Sequence, residues 1–303
     1  MLQNLPKVRG EYRENFTLAS LTWFKVGGPA KLLFKPYDFD DLSLFLSSIP
    51  EDVELFVLGA GSNILIRDGG VNGIVVKLGR NFANIELLPG NKIKVGAGCL
   101  NYNLSQFCYQ NSIKGFEFLL GIPGTIGGGI KMNAGAYSRE FKDIISSIEV
   151  IDRSGKIYSI ANSEIGFSYR KNSLPEGLIF LTATFNYELG DRDSIKNLMD
   201  EIMQRRLDSQ PVKEKTCGST FTNPTNSSCG KKVWQLIDEA GMRGARIGDA
   251  EMSNLHCNFM INKGHATAKD LEDLGEMVRS KVFEKTGVQL EWEIQRKGEF
   301  CND

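Results

Sequence analysis

The residues of this 303-residue chain whose types and spacing could do chemistry are two glycine-rich runs and three reactive polar sites. Residues 121–137 read GIPGTIGGGIKMNAGAY, with five glycines in the first nine positions. Glycine inside a regular element is disfavoured by roughly 0.5–1 kcal/mol, so this density predicts a wrapping loop whose bare amides approach a ligand. Successive N–H groups in such turns form anion-binding concavities, and phosphate oxygens are the obvious guests. A second run, Gly59-Ala60-Gly61-Ser62-Asn63, lies between the apolar residues 55–58 and 64–66 and reads as the turn between two strands. Neither run matches the G-x-G-x-x-G of dinucleotide folds, because the third position after Gly59 and Gly61 is Ile64. A nucleotide held between two loops is therefore the better expectation, although each run alone also fits an ordinary surface loop.

Outside the loops, Ser168-Tyr169-Arg170 sets a guanidinium beside a phenol, and an arginine fork suits carboxylate or phosphate. In Gly218-Ser219-Thr220-Phe221-Thr222-Asn223-Pro224 a hydroxyl follows glycine in a polar stretch. Glu293 is a carboxylate on one face of an alternating C-terminal run. None is specific singly, and the plainer reading of each is a solvated turn or strand face.

Composition narrows the class. A formal net charge of -1 implies no basic surface for nucleic acid. The six cysteines (Cys99, Cys108, Cys217, Cys229, Cys257, Cys301) form neither C-x-x-C nor zinc spacing, and reduced thiols fit a cytoplasmic protein. MLQNLPKVRG has no apolar signal core, and no window reaches the roughly 18 apolar residues of a membrane span. With only His256 and His265, a histidine triad or His-rich metal site is not expected, and no metal is predicted.

The elements that must position these groups alternate. Asp38 predicts the N-cap of a helix with Leu42, Phe45, Leu46 and Ile49 inward and Pro50 at its end. Strands are predicted at 73–78 and 92–95, a short helix between Asn101 and Ser112, strands at 144–151 and 157–160, and a half-buried strand at 178–189. Then come a helix over 193–207, a boundary at Gln210-Pro211, a polar loop over 217–228, and a helix to about Ala240 stopped by Gly241. A long helix over 268–285, with Thr267 and Asp270 at its start and Gly287 at its end, leads into the alternating run 288–296.

Taken in order, Gly59-Ala60-Gly61-Ser62-Asn63, GIPGTIGG, MNAGAY, SYR, GSTFTNP, His256-Cys257-Asn258-Phe259 and Leu290-Glu291-Trp292-Glu293 span most of residues 15–298. In this the chain closely resembles the UDP-N-acetylenolpyruvoylglucosamine reductases, the MurB family of FAD enzymes that complete UDP-N-acetylmuramic acid for peptidoglycan. It is similar to the subgroup without an extra tyrosine-bearing loop, since Arg170 runs through Leu174-Pro175 directly into the strand at Leu178.

The resemblance implies an α+β protein: a two-subdomain FAD-binding fold of the PCMH/vanillyl-alcohol-oxidase type plus a C-terminal α+β substrate-binding domain. The expected division is 1–80 with the C-terminal strand 289–303, 81–210, and 211–288. It implies non-covalent FAD on Gly59, Ala60, Gly61, Ser62, Asn63, Gly121, Pro123, Gly124, Thr125, Gly127, Gly128, Asn133, Ala134, Gly135 and Ala136, with NADPH as hydride donor. Arg170, Ser219 and Glu293 fall on the family's catalytic arginine, proton-donating serine and catalytic glutamate. Tyr169, Asn223 and Lys213 would lie near a bound UDP-sugar. A cytoplasmic monomer acting on that small molecule, with no nucleic-acid or membrane partner, is expected. Departures from the family pattern are Gln295 where arginine is common, Lys131 at an often apolar site, and Ser138 where glycine is frequent. The alternatives are an FAD-dependent oxidase of the same fold acting on another substrate and a non-catalytic nucleotide-binding module.

Overall fold

The computed structural model describes residues 5–224 and 230–301. The chain divides into two compact units: residues 1–14, 32–60 and 73–204 form unit 1, and residues 15–31, 61–72 and 205–303 form unit 2.

Unit 1 contains helices α1 (Phe39–Ser48), α2 (Asn101–Gln110), α3 (Ile126–Lys131), α4 (Asn162–Ile165) and most of α5 (Arg192–Ser209). α1 starts where the sequence predicts: the Asp38 carboxylate accepts from Asp41 N–H at 3.0 Å. Its apolar stripe, Leu42, Phe45 and Leu46, packs on Leu32, Phe34, Ile74 and Val76, strand residues that α1 covers. Those strands belong to a four-stranded sheet ordered Glu11–Thr17, Pro29–Lys35, Val71–Val76, Leu55–Val57, the last two parallel.

A five-stranded antiparallel sheet runs Ile157–Ala161, Ile145–Ile151, Ile179–Asn186, Lys92–Gly96, Ile85–Leu88. Its central strand departs from the expected half-buried pattern, because Phe180 and Thr182 are buried as well as Leu181, Ala183 and Phe185. Ile179 and Leu181 pack into the cluster under α1, while Phe180, Ala183 and Phe185 pack with Leu104, Ile126 and Ile130 of α2 and α3, so side chains on both faces are inside. The predicted strand over 178–189 also breaks: Glu188–Leu189 leaves it to pair with Ile113–Lys114.

The expectation of a single wrapping loop over residues 121–137 is corrected. Its middle is helix α3, which contains Gly127, Gly128 and Gly129, capped by Thr125 Oγ1 accepting from Gly128 N–H at 3.3 Å. Packing explains the glycine: a Cβ on Gly129 would sit 2.3 Å from Cε2 of the fully buried Phe141. Only about 122–125 and 132–138 remain irregular, with a two-residue ladder between Gly135–Ala136 and Arg139–Glu140.

Unit 2 packs helices α6 (Val233–Glu239) and α7 (Ala268–Thr286) on the antiparallel strands Arg246–Ile247, Ala250–Met252 and Met260–Asn262. α7 buries Leu271, Leu274, Val278 and Val282, one face at helical spacing. Its predicted limits hold: Thr267 and Asp270 form a reciprocal capping box, and Gly287 at φ 71° ends it. Asp68 adds a second N-terminal cap, accepting from Ala268 N–H at 3.0 Å and Lys269 N–H at 2.9 Å. The closing run is a strand only at Gln295–Lys297, parallel to Ile64–Ile66. Of the polar loop predicted over 217–228, residues 225–228 lie outside the described residues, as does Cys229. Cys99, Cys108, Cys217 and Cys257 are buried free thiols, and Cys301 is an exposed one.

Candidate active site

In unit 1 the two glycine segments meet. Leu58 N–H closes the ladder onto Val76 O at 2.9 Å, after which the chain turns away through Gly59 and Ala60. A Cβ on Gly59 would lie 2.9 Å from Thr125 Oγ1, so glycine permits the close approach. The Nζ of Lys77 donates to Gly59 O. Across from it, Asn101 fixes the other segment twice, with its N–H on Gly124 O at 3.0 Å and Nδ2 on Ile122 O at 3.1 Å. Ile126 N–H and Gly127 N–H bond Cys99 O and Ala97 O at 2.8 and 2.9 Å. No described residue accepts from the amides of Gly59, Ala60, Gly124 or Thr125. Donors left over on two touching turns fit the diphosphate of a dinucleotide cofactor.

Asn133 is fully buried at φ 41°, and its side chain is spent on protein. Nδ2 donates to Glu140 Oε2 and Ser168 O, each at 3.0 Å, while Oδ1 accepts from Lys142 N–H at 3.1 Å. It ties the glycine segment to the turn bearing Arg170. Ser168 and Lys171 bridge that turn, and Arg170 sits at its apex with φ 58°, a conformation costly for a side chain of this kind. Its Nη2 donates to Gly135 O at 3.1 Å, and its guanidinium lies 5.1 Å from the Tyr169 ring. Burial works to raise the Glu140 carboxyl, but hydrogen bonds from Lys142 and Asn133 and the charges of Lys142 and Arg170 outweigh it and hold the group below the usual carboxylate range.

In unit 2, Ser219 and Glu293 lie on segments that pair with each other. Phe221 bridges Trp292 antiparallel; Glu293 N–H donates to Thr220 O at 2.8 Å and Thr222 N–H to Glu291 O at 2.9 Å. On its other side the Ser219 segment bridges Phe259, and Thr220 N–H donates to Asn258 O at 2.7 Å. The buried Asn258 side chain then clasps Phe221, accepting its N–H at 3.1 Å and donating to its C=O at 2.9 Å. Asn63 joins them: its Nδ2 donates to Glu293 O at 3.1 Å and its carbonyl accepts from Gln295 N–H at 3.1 Å. Gly61 turns at φ 70°, where a Cβ would meet Leu21 O at 2.1 Å. Ser219 and Glu293 are half-buried.

Asn223 Oδ1 accepts from Val233 N–H at 3.1 Å, which makes it a cap of α6. Lys213 is exposed, and Tyr169 is 36% exposed. Lys77, Asn101 and Asn258 do their work without a sequence signal that ranks them as site residues, since each acts by reaching a carbonyl or amide distant in sequence. Among the described residues, no group of three or more His, Cys, Asp or Glu side chains could hold a metal. No described helix is long and apolar enough to cross a membrane.

Comparison with known proteins finds two family matches along the chain. Residues 30–161 match the family described as FAD binding domain, and residues 210–296 match the UDP-N-acetylenolpyruvoylglucosamine reductase, C-terminal domain. The chain is 58% identical to the UDP-N-acetylenolpyruvoylglucosamine reductase of Rickettsia massiliae, over 97% of this chain and 98% of that one. To the reductase of the same name from Rickettsia felis it is 57% identical, over 98% and 99%. The crystal structure of UDP-N-acetylenolpyruvylglucosamine reductase (MurB) from Thermus caldophilus superposes with a TM-score of 0.81 at 34% identity, over 96% of this chain and 99% of that chain. Near-full-length identity of this order, with a family match over each half, means that the chain belongs to the UDP-N-acetylenolpyruvoylglucosamine reductase family, an oxidoreductase of α+β fold with an FAD-binding domain.

Proposed function

We propose that the protein reduces UDP-N-acetylglucosamine enolpyruvate to UDP-N-acetylmuramate, a peptidoglycan precursor, with NADPH as electron donor. FAD, when bound, supplies the hydride, taken from NADPH and delivered to the vinyl carbon C3 of the substrate. The open amides of Gly59, Ala60, Gly124 and Thr125 hold its diphosphate, with Gly61, Ser62, Asn63, Gly121, Pro123, Gly127, Gly128, Ala134, Gly135 and Ala136 completing the cradle. Asn133 contributes through its backbone and by fastening the Arg170 turn. Neither glycine run contains histidine, in keeping with non-covalent attachment.

Hydride arrival at C3 leaves negative charge on C2 and the adjoining carboxylate. Preorganised donors must meet that charge. Arg170 does so with its planar fork, and Glu293, protonated, adds a hydrogen bond. Ser219 gives its hydroxyl proton to C2 on one face, a transfer that a weak acid can make to a strongly basic enolate when distance and orientation are right. Tyr169, Asn223 and Lys213 flank the UDP-sugar. Residues 1–80 with 289–303, then 81–210, serve as the two FAD subdomains and 211–288 as the substrate domain of a cytoplasmic monomer. The observation that carries this reading is the bond from Glu293 N–H to Thr220 O at 2.8 Å, which puts the carboxylate segment against the serine segment. The relatives' shared reductase name speaks against an oxidase of the same fold.

An anaerobic two-step experiment tests it. NADPH should bleach the yellow protein, and the enolpyruvyl substrate should restore the colour. Ser219→Ala should bleach normally and recolour about 100-fold or more slowly, the scale of a lost proton transfer. Equal slowing of both steps would overturn the role given to Ser219, and no bleaching in the unaltered protein would overturn the activity.

A further inference from the structure

The segment carrying Glu293 is gripped by helix α7 on both sides of that residue. Trp292 lies against Gly275 of α7, where a Cβ would come within 2.1 Å of its Cη2 and 2.3 Å of its Cζ2. Glycine in the middle of a long helix is disfavoured by up to about 1 kcal/mol against alanine, and the indole ring is what requires it here. The next residue of the helix, Glu276, takes the indole N–H on Oε1 at 2.8 Å. The same oxygen accepts Arg296 Nη1 at 2.9 Å, and Arg296 stands 4.6 Å over the Trp292 ring. Arg279 Nε holds Leu290 O at 2.9 Å, and its Nη1 pairs with Glu276.

A second carboxylate on α7 anchors the far end. The buried Glu272 accepts Arg67 Nε and Nη2, each at 2.9 Å, and Arg296 Nη1 at 3.0 Å. Arg67 Nη1 then holds Gly298 O at 3.0 Å. Burial acts to raise the Glu272 carboxyl, but the two guanidiniums prevail and keep it below its ordinary range. Charged groups with several satisfied bonds give a rigid, geometrically specific contact. Trp292 also touches Phe221, ring centres 5.1 Å apart, so the grip extends to the neighbour-but-one of Ser219.

Resting on the reading that Glu293 is catalytic, we propose that Trp292, Glu276 and Arg296 are positioning residues that set the register of Glu293 against the Ser219 segment. Leu290, Trp292, Arg296 and Gly298 are all fastened to α7 or Arg67, so Glu293 has neighbours fixed on both sides. The ion pair serving this segment is therefore made by Arg296, with Gln295 left outside it. A displacement of about 1 Å can slow a positioned reaction on the order of 100-fold.

The test uses Trp292→Phe, which drops the N–H and withdraws the benzo edge from the Gly275 slot, and Glu276→Gln, which removes the charge. Each should slow substrate-driven reoxidation of the flavin about 10-fold while leaving NADPH-driven reduction and FAD affinity within about twofold. Neither should slow reoxidation further in a Glu293→Ala background. In the cofactor-free protein, amide exchange of a peptide containing Glu293 should quicken in both variants. Reoxidation slowed by Glu293→Ala but unchanged in Trp292→Phe and Glu276→Gln overturns the positioning alone, as do additive losses in the double variants. Unchanged reoxidation in Glu293→Ala overturns the catalytic reading on which it rests.

Discussion

Lys77 should matter to cofactor binding far more than to folding. Its ammonium is the only side-chain contact to the Gly59 carbonyl among the described residues. Because a peptide unit is planar and trans, holding Gly59 O on one side points Ala60 N–H to the other, where no described residue accepts it. Removing the ammonium in Lys77→Met releases that peptide. The lost charge-assisted bond is worth about 1.5–3 kcal/mol, or roughly 10- to 150-fold in Kd for FAD. Folding should respond differently. Burial, and then the charge of Lys35, lowers the Lys77 pKa from its ordinary value of 10.5. The unfolded lysine therefore holds its proton more readily, and below that ordinary value the charge favours the unfolded chain. Loss of this penalty offsets loss of the bond, so the cofactor-free variant should melt within a few degrees of the parent. Fluorescence titration of the cofactor-free protein with FAD, beside thermal melts of the same samples, checks both. An unchanged Kd, or a Kd change accompanied by a large fall in the cofactor-free melting temperature, would refute the peptide-orienting role.

Two further expectations concern the fold that carries the site. Gly129→Ala should destabilise the protein by about 1–3 kcal/mol through overpacking against Phe141, despite alanine's better helix propensity, and Phe141→Leu should recover part of the loss; a higher melting temperature in Gly129→Ala would show that the ring yields freely. Stability should also fall as pH rises above 9. Burial pushes Cys99 to about 11 and Cys217 to about 12 from 9.0, and raises Cys108 too, so the unfolded thiols ionise first and draw the equilibrium towards the unfolded chain. Melting temperatures between pH 8 and 10.5 should decline, less so in Cys217→Ala, and a flat profile would contradict buried neutral thiols.

Local chemistry made much of this protein readable from residue order alone. Asp38, Thr267, Asp270, Gly241 and Gly287 mark helix ends because caps and left-handed stops act within a few residues. The apolar spacing of α1 identifies its inner face, and the succession of motifs identifies the family. What tertiary structure alone decided is which partners those faces and polar groups meet. Gly129 reads as a loop residue until Phe141 is seen beside it, and only the fold shows that the Asn133 side chain is bonded to Glu140, Ser168 and Lys142. The junction of the segments bearing Ser219 and Glu293, and the grip of Glu272 and Glu276 on the latter, join residues far apart in the chain. Periodicity reports that a side chain will be buried or bonded; topology chooses its partner, because a hydrogen bond or a packed ring depends on distance in space and leaves no regular spacing along the sequence.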